Sequence, residues 1–217
     1  MSTWIDISCI FMVFCALAML GTYRIVGVIR IFAIQSFVLG LMPFFLHADA
    51  LTLREIVTGA GTIVLKAGLV PFILTWAIRH VSMRSEVKPI IGFGTSIVFG
   101  AFVIAVAFWI SLSLHLPWKP PSDLILPCSL ATVLLGFMIM VTRTRAVTQV
   151  LGYLVMENGI FLFALGLFDT MPMMIEMGIL LDIFVAVFIM AIIVNHINEE
   201  FESAPLAVDR FEKKDMF

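Results

Sequence analysis

The stretch LGYLVMENGIFLF, residues 151–163, decides the class of this protein and poses the question of its function. Almost all of it is apolar or glycine, yet Glu157 and Asn158 stand side by side at its centre. It belongs to a longer apolar segment, 147–168, and about 20 such residues suffice to cross the hydrocarbon of a bilayer as a helix. The sequence therefore predicts a membrane-spanning helix with a carboxylate at its middle.

The composition extends this prediction to the whole chain. Of its 217 residues, 62% are hydrophobic and 13% are charged, whereas globular domains carry about 25% charged residues. We therefore expect an all-α integral membrane protein, with 1–217 as a single transmembrane domain and 197–217 as a short cytoplasmic tail. The seven predicted transmembrane helices lie at about 4–21, 26–46, 56–78, 90–114, 124–141, 147–168 and 172–195.

The basic residues predict the orientation of these segments. Lysine and arginine near membrane spans favour the cytoplasmic side. Ten of them fall in or near the 1–2, 3–4 and 5–6 connections and the tail, and two fall on the other side, so the N-terminus is predicted outside and the C-terminus in the cytoplasm. The two sets are Arg24, Arg30, Arg79, Arg84, Lys88, Arg143, Arg145, Arg210, Lys213 and Lys214 against Arg54 and Lys119.

Residues that could carry a cofactor or catalysis form no recognisable pattern. The three cysteines show no C-x-x-C spacing. His80 and His196 share the predicted cytoplasmic side, but nothing else supports a haem between them. We expect no catalytic residue, no metal site and no cofactor in this chain, and its surroundings to be the lipid bilayer and other proteins rather than nucleic acid.

Three ionisable residues lie at one predicted depth. Lys66, Glu157 and Asp182 each fall about ten residues into their segments, which places them about 15 Å deep, close to the bilayer midplane. Facing lipid, each would cost about 2.5–3.5 kcal/mol on insertion scales. We expect all three to face the bundle interior or a neighbouring subunit and to neutralise one another.

The sequence around Lys66 favours close packing and hydration. Gly61 and Gly68 flank the lysine, and small residues let a second helix approach. Pro71 has no N–H, so we expect a kink and a free carbonyl at Ala67, next to the lysine. Water is expected there.

Two interpretations of these charges remain open at this stage. In one, an ion pair only holds helices together. In the other, the groups relay protons, because burial favours a neutral carboxylate while a nearby ammonium favours a charged one. Two acids and one base leave one acid to be protonated or paired with another chain. The supporting polar residues are Asn158, Gln35 as an interhelical hydrogen-bonding group, and Glu176 near the outer end of the seventh segment.

A weak internal repeat is also predicted. The first three and the last three segments run in the same sense across the membrane, so 1–81 and 123–196 would form a parallel repeat of the kind found in some transporters.

Three stretches resemble the hydrogenase-4 component E family, membrane subunits of formate hydrogenlyase-type and related nickel–iron hydrogenases. They are LGYLVMENG (151–159), LKAGLVPFILTWAIRH (65–80) and EMGILLDIFVAVFIM (176–190). The resemblance implies a small membrane-embedded subunit beside larger antiporter-like subunits, in a relative of respiratory complex I within a prokaryotic plasma membrane. Here Glu157, Asp182 and Lys66 would be the proton-pathway residues.

The last three segments are also similar to the small three-helix subunit of complex I and of Mrp antiporters. Asp182 falls where the acid of the third helix stands in that subunit. When the shared asparagine is aligned at Asn158, the second-helix acid falls at Leu154, three residues before Glu157. A shift of three residues keeps the same helix face.

The resemblance implies a non-catalytic subunit of an energy-converting hydrogenase that contributes midplane charges to proton translocation. The alternative is a subunit of a cation/proton antiporter or another ion-translocating complex without a hydrogenase. A purely structural scaffold is a further alternative. A retinal photoreceptor is disfavoured, because retinal pumps bind their chromophore through a lysine of the last helix, whereas Lys66 lies in the third segment.

Overall fold

The computed structural model describes residues 2–46, 53–80, 90–114 and 120–166, and within these ranges every regular element is helical. The elements are α1 (Ser2–Gly21), α2 (Ile25–Leu46), α3 (Leu53–Thr62), a π-helical stretch (Ile63–Leu69), α4 (Val70–His80), α5 (Phe93–Ser113), α6 (Ile125–Thr142) and α7 (Ala146–Gly166). Five of the spans are single continuous helices. The third span, between α2 and α5, is built from three consecutive helical stretches.

Six helical spans that are long and apolar enough to cross a membrane are found in the part of the chain that the structure describes. They coincide with the first six predicted segments, and α3, the π-helical stretch and α4 together form the third span. The described part of the chain is thus all helical, and the protein is a multi-pass membrane protein. The seventh predicted segment, 172–195, and the tail, 197–217, lie outside the described residues. The seven-span count, the orientation and the repeat therefore stay predictions.

The third span differs from the expected proline-kinked α-helix. The N–H of Val70 donates to the carbonyl of Leu65, five residues back, as in a π-helix. Pro71 follows at once and has no N–H to donate. The wide turn and the proline therefore fall together, and single π-helical turns inside α-helices are frequent at functional sites. Hydrophobic periodicity does not reveal the extra residue in this turn.

The bundle is organised around α2 and α6. α2 packs against α1, the whole third span and α7, while α6 packs against α1, α5 and α7. α5 lies at the periphery, and its large side chains face outward: Trp109 is 70% exposed and Leu112 is 84% exposed. In a bilayer such apolar side chains face lipid, so they need no protein partner.

Glycines bring α6 and α7 into backbone contact. A Cβ on Gly152 would lie 2.6 Å from the nitrogen of Met140, and one on Gly159 would lie 2.7 Å from the nitrogen of Val133. Real Cβ atoms do not approach backbone so closely, hence a larger residue at either position would push the helices apart. This packing fixes the rotation of α7, and with it the direction of Glu157.

Arg143 joins several connections at one end of the bundle. Its side chain is 1% exposed, its guanidinium donates to the carbonyl of Leu20 at the end of α1, and it lies 5.0 Å from the Phe93 ring centroid. The N–H of Ile90 donates to the carbonyl of Thr142 at 2.9 Å. The 1–2, 3–4 and 5–6 connections, which the sequence assigned to one side, therefore meet at one end.

Burial lowers the pKa of the Arg143 guanidinium, although arginine stays protonated in proteins. A cation at the C-terminus of α1 is favoured by the helix dipole.

At the other end of the bundle, the hydroxyl of Ser122 donates to the carboxylate of Asp6 and ties α1 to the start of α6.

Replacing Arg143 with leucine is expected to destabilise the bundle. The change removes a charge-assisted hydrogen bond worth about 1.5–3 kcal/mol and the contact with Phe93. Thermal unfolding of the purified protein in detergent measures the effect. Arg24→Leu is the matched control, because Arg24 is exposed beside Tyr23 and its loss is expected to change little. Equal effects of the two changes would contradict a clamping role for Arg143.

Candidate functional site

A buried ion pair lies between the third span and α7. The Nζ atom of Lys66 is 3.4 Å from Oε1 of Glu157, and the two side chains are 1% and 3% exposed. The separation is longer than the roughly 2.7–2.9 Å of a short charge-assisted hydrogen bond. Two opposite charges thus meet inside the bundle at the depth that the sequence predicts for both.

The neighbouring helices determine which way the two side chains point. Lys66 lies within the π-helical stretch, which packs against α2. Gly59, on α3, allows this close approach to α2, since a Cβ at this position would lie 2.8 Å from the carbonyl oxygen of Gly40. The lysine side chain then reaches α7, where its Nζ also lies 5.5 Å from the ring centroid of Phe161. Phe161 is one turn after Glu157 and shares its helix face.

The buried face of the third span is polar along its first half. Thr58, Thr62 and Lys66 recur at intervals of four residues and are 1–2% exposed. Val64 and Phe72, on the outward side, are 65% and 69% exposed. The arrangement is the reverse of a water-soluble amphipathic helix, and it is typical of a membrane helix that turns polar groups toward a protein interior.

The hydroxyl of Thr62 donates to the carbonyl of Thr58 at 2.9 Å. Threonine in a membrane helix can satisfy its own donor in this way, while its oxygen keeps acceptor capacity. The two threonines therefore extend a polar surface from Lys66 toward the start of α3.

Amides and a serine continue the polar interior on the other side. The Nδ2 group of Asn158 donates to the hydroxyl oxygen of Ser36 at 3.0 Å, linking α7 to α2. The Nε2 group of Gln35 donates to the carbonyl of Met12 at 2.9 Å, linking α2 to α1. All three polar side chains are fully buried. Together with the polar face of the third span, these side chains place buried polar groups on three of the described spans, and Gln35 bonds to the backbone of α1 on a fourth.

The structure describes four of the six residues that the sequence singled out and buries all four: Lys66, Glu157, Asn158 and Gln35. Of these, it brings Lys66 and Glu157 into contact. Asp182 and Glu176 lie outside the described residues. The sequence left the partner of Lys66 open, and the structure places Glu157 beside it.

Sequence reasoning missed two contributors to this interior. Ser36 gives no signal of its own, because a lone serine in an apolar segment usually bonds locally. Thr58 could have been found, since its spacing of eight residues from Lys66, through Thr62, places all three on one helix face.

Metal ligands do not cluster in the ranges that the structure covers: no three His, Cys, Asp or Glu side chains come together there. The three cysteines, Cys9, Cys15 and Cys128, are buried free thiols. The Lys66–Glu157 pair offers acid–base chemistry. A carboxylate and an ammonium in contact inside a protein can exchange a proton and pass between a charged and a neutral pair.

The fold and the site define a multi-pass helical membrane protein with an ion pair buried in its bundle. Comparison with known proteins adds relatives. Hydrogenase-4 component E of Escherichia coli strain K12 is 27% identical over 168 residues, covering 76% of this chain and 77% of that protein. Hydrogenase-4 component E of Shigella flexneri matches to the same extent.

A third relative is uncharacterized protein Rv0085 of Mycobacterium tuberculosis, which is 25% identical over 181 residues, covering 83% of this chain and 82% of that protein. The resemblance to hydrogenase-4 component E that the three sequence stretches predicted is therefore confirmed. No family model matches the chain, and no solved structure matches it.

Proposed function

We propose that this chain is a non-catalytic membrane-arm subunit of an energy-converting hydrogenase related to respiratory complex I, of the formate hydrogenlyase type. The similarity to hydrogenase-4 component E over most of both chains supports this, as do the six helices in the described part of the chain that are long and apolar enough to span a membrane. The subunit would lie in a prokaryotic plasma membrane, with its N-terminus outside, its C-terminus in the cytoplasm and a seventh span at 172–195. Its neighbours would be antiporter-like subunits of the same complex.

Within such a complex, Lys66, Glu157 and Asp182 would form part of a proton-translocation pathway. The observation that carries this proposal is the 3.4 Å contact between two charged side chains that are almost completely buried. An ion pair in a low-dielectric interior responds strongly to a nearby charge. A charge that arises elsewhere in the complex would therefore move the Glu157 proton equilibrium, and that is how redox energy would reach the pair.

The redox chemistry itself belongs to other subunits in this proposal, and the chain would hold no cofactor. Its own residues would hold and release protons: Glu157 takes a proton that arrives as hydronium and leaves neutral water, Lys66 stabilises the ionised carboxylate, and Asn158 and Gln35 keep the surrounding helices in register.

Membership of a hydrogenase is tested by gentle affinity purification from native membranes, with the co-purifying chains identified by mass spectrometry. We expect antiporter-like subunits together with nickel-site and iron–sulfur chains. Antiporter-like chains without a hydrogenase module would instead support the ion-exchange alternative. Recovery of the chain alone would overturn both assignments.

The proton pathway is tested by Glu157→Gln combined with Asp182→Asn. Both changes preserve size and remove the titratable group, so assembly is expected to persist while hydrogenase-coupled proton transport is lost. Proton uptake by proteoliposomes and growth yield are the measurements. Unchanged coupling in a fully assembled complex would exclude these carboxylates from the pathway.

A further inference from the structure

Two buried amide oxygens accept no hydrogen bond from any residue that the structure describes: Oε1 of Gln35 and Oδ1 of Asn158. Both side chains are 0% exposed. Their nitrogen ends are occupied, because Gln35 donates to the Met12 carbonyl and Asn158 donates to the Ser36 hydroxyl. Each amide is thus held in place by its donor end and presents its acceptor end to the interior.

Such oxygens require donors. More than nine in ten buried polar groups in proteins have a hydrogen-bond partner, and an amide oxygen can accept two hydrogen bonds. An amide without an acceptor bond inside hydrocarbon is costly. The small donor that proteins commonly bury in polar interiors is water, which typically makes about three hydrogen bonds there.

We propose that Gln35 and Asn158 form a water-binding site inside the bundle, which hydrates the Lys66–Glu157 pair from the α2 side. The donor ends of the two amides fix their orientation, and the acceptor ends hold the water. Asn158 follows Glu157 directly on α7, only about 1.5 Å further along the helix axis, so water on its oxygen lies at nearly the same level of the bundle as the carboxylate.

This inference deepens the proposed proton pathway, and the part that concerns protonation rests on it. A proton that arrives as hydronium is passed to a carboxylate oxygen of Glu157: one O–H bond of the hydronium breaks, one O–H bond of the carboxylic acid forms, and neutral water remains on the amides. The reverse step releases the proton. No oxidant or reductant is needed.

A structural clamp would need only the donor ends. The bonds from Gln35 to Met12 and from Asn158 to Ser36 already tie α2 to α1 and α7 to α2. Apolar side chains could pack these helices together without placing acceptors inside the bundle. The two unbonded oxygens are what distinguishes a hydrated site from a clamp.

The test is electron cryomicroscopy of the assembled, unmutated complex at a resolution that shows ordered water. We expect water density within hydrogen-bonding distance of both amide oxygens. Absence of water density at both amide oxygens would overturn the proposal, even if the carboxylates prove essential for coupling. Water at both, with coupling unaffected by Glu157→Gln, would uphold the site and reject the proton pathway instead.

A variant series separates hydration from packing. Gln35→Leu and Asn158→Leu remove the acceptor oxygens, and we expect each to slow coupled proton transport severalfold and to remove the local water density. Ser36→Ala removes the bond to Asn158 but neither acceptor oxygen, so the density is expected to remain. Loss of the water in Ser36→Ala with its retention in Asn158→Leu would contradict the assignment. If a leucine variant fails to assemble, the map of the unmutated complex still decides.

Discussion

Glu157→Leu and Lys66→Met, each made alone, are expected to lower the free energy of unfolding by about 3–5 kcal/mol, whereas the double variant recovers most of the loss. Each single change leaves the remaining charge buried without its ion-pair partner, which is the costly way to break a buried ion pair. Replacing both charges with apolar side chains of similar size removes the desolvation cost together with the attraction. A second change that lowers stability when made alone but raises it when added to the first shows that the two side chains interact directly.

The measurement is unfolding of the purified protein in mixed micelles, with the coupling free energy taken from the double-mutant cycle. Ser129→Ala is the control. The side chain of Ser129 is 2% exposed, as buried as the ion pair, but it donates only to the Leu126 carbonyl on its own helix. Its effect should add to that of either charge change. Simple additivity between Lys66 and Glu157 would contradict the observed contact.

Gly152→Val and Gly159→Val are expected to destabilise the bundle by about 3 kcal/mol or more, at or above the upper end of the usual cost of overpacking. The obstacle at each position is the backbone of α6. Backbone cannot rotate away as a side chain can, so α6 and α7 would have to separate. Glu157 would then move relative to Lys66, and coupling is expected to fall together with stability.

Gly61→Ala provides the contrast. A Cβ at Gly61 meets nothing within 4 Å, and alanine favours a helix over glycine by up to about 1 kcal/mol. Neutral or increased stability is expected there. Unfolding midpoints of the three variants in detergent make the comparison, and a Gly61→Ala variant as unstable as Gly159→Val would show that the loss does not arise from the α6–α7 contact.

The spans could be predicted because length and hydropathy are local properties of the chain. The first six predicted segments match the observed ones closely, and only α5 is shorter than predicted at both ends. The depth of a charge follows from the same counting, so Lys66 and Glu157 were correctly expected at one level.

The pairing could not be predicted, because it depends on how each helix is rotated about its axis. For α7 that rotation is set by glycine contacts with α6. For the third span the rotation is set by the π-helical stretch, because its wider turns rotate the following helix, α4, about the span axis. Hydrophobic periodicity reveals neither feature. Depth alone left Lys66 with two candidate partners in the chain, Glu157 and Asp182, besides a residue of a neighbouring chain.

Arg143 shows the same limit in another form. In the sequence it counts only as a loop charge on the predicted basic side of the bundle. Its near-complete burial and its bond to Leu20 arise from the meeting of three connections, which are far apart in the sequence.

The measurement that tests the central claim most directly is proton transport by the assembled complex carrying Lys66→Met and Glu157→Leu together. This variant is expected to keep its stability and its partners, so packing is held constant while both titratable groups are removed. Proton uptake into proteoliposomes, compared with the hydrogenase turnover that drives it, gives the coupling ratio. The account predicts normal turnover with coupling lost. Retention of the unmutated ratio in the stable double variant would show that the buried pair only holds helices together.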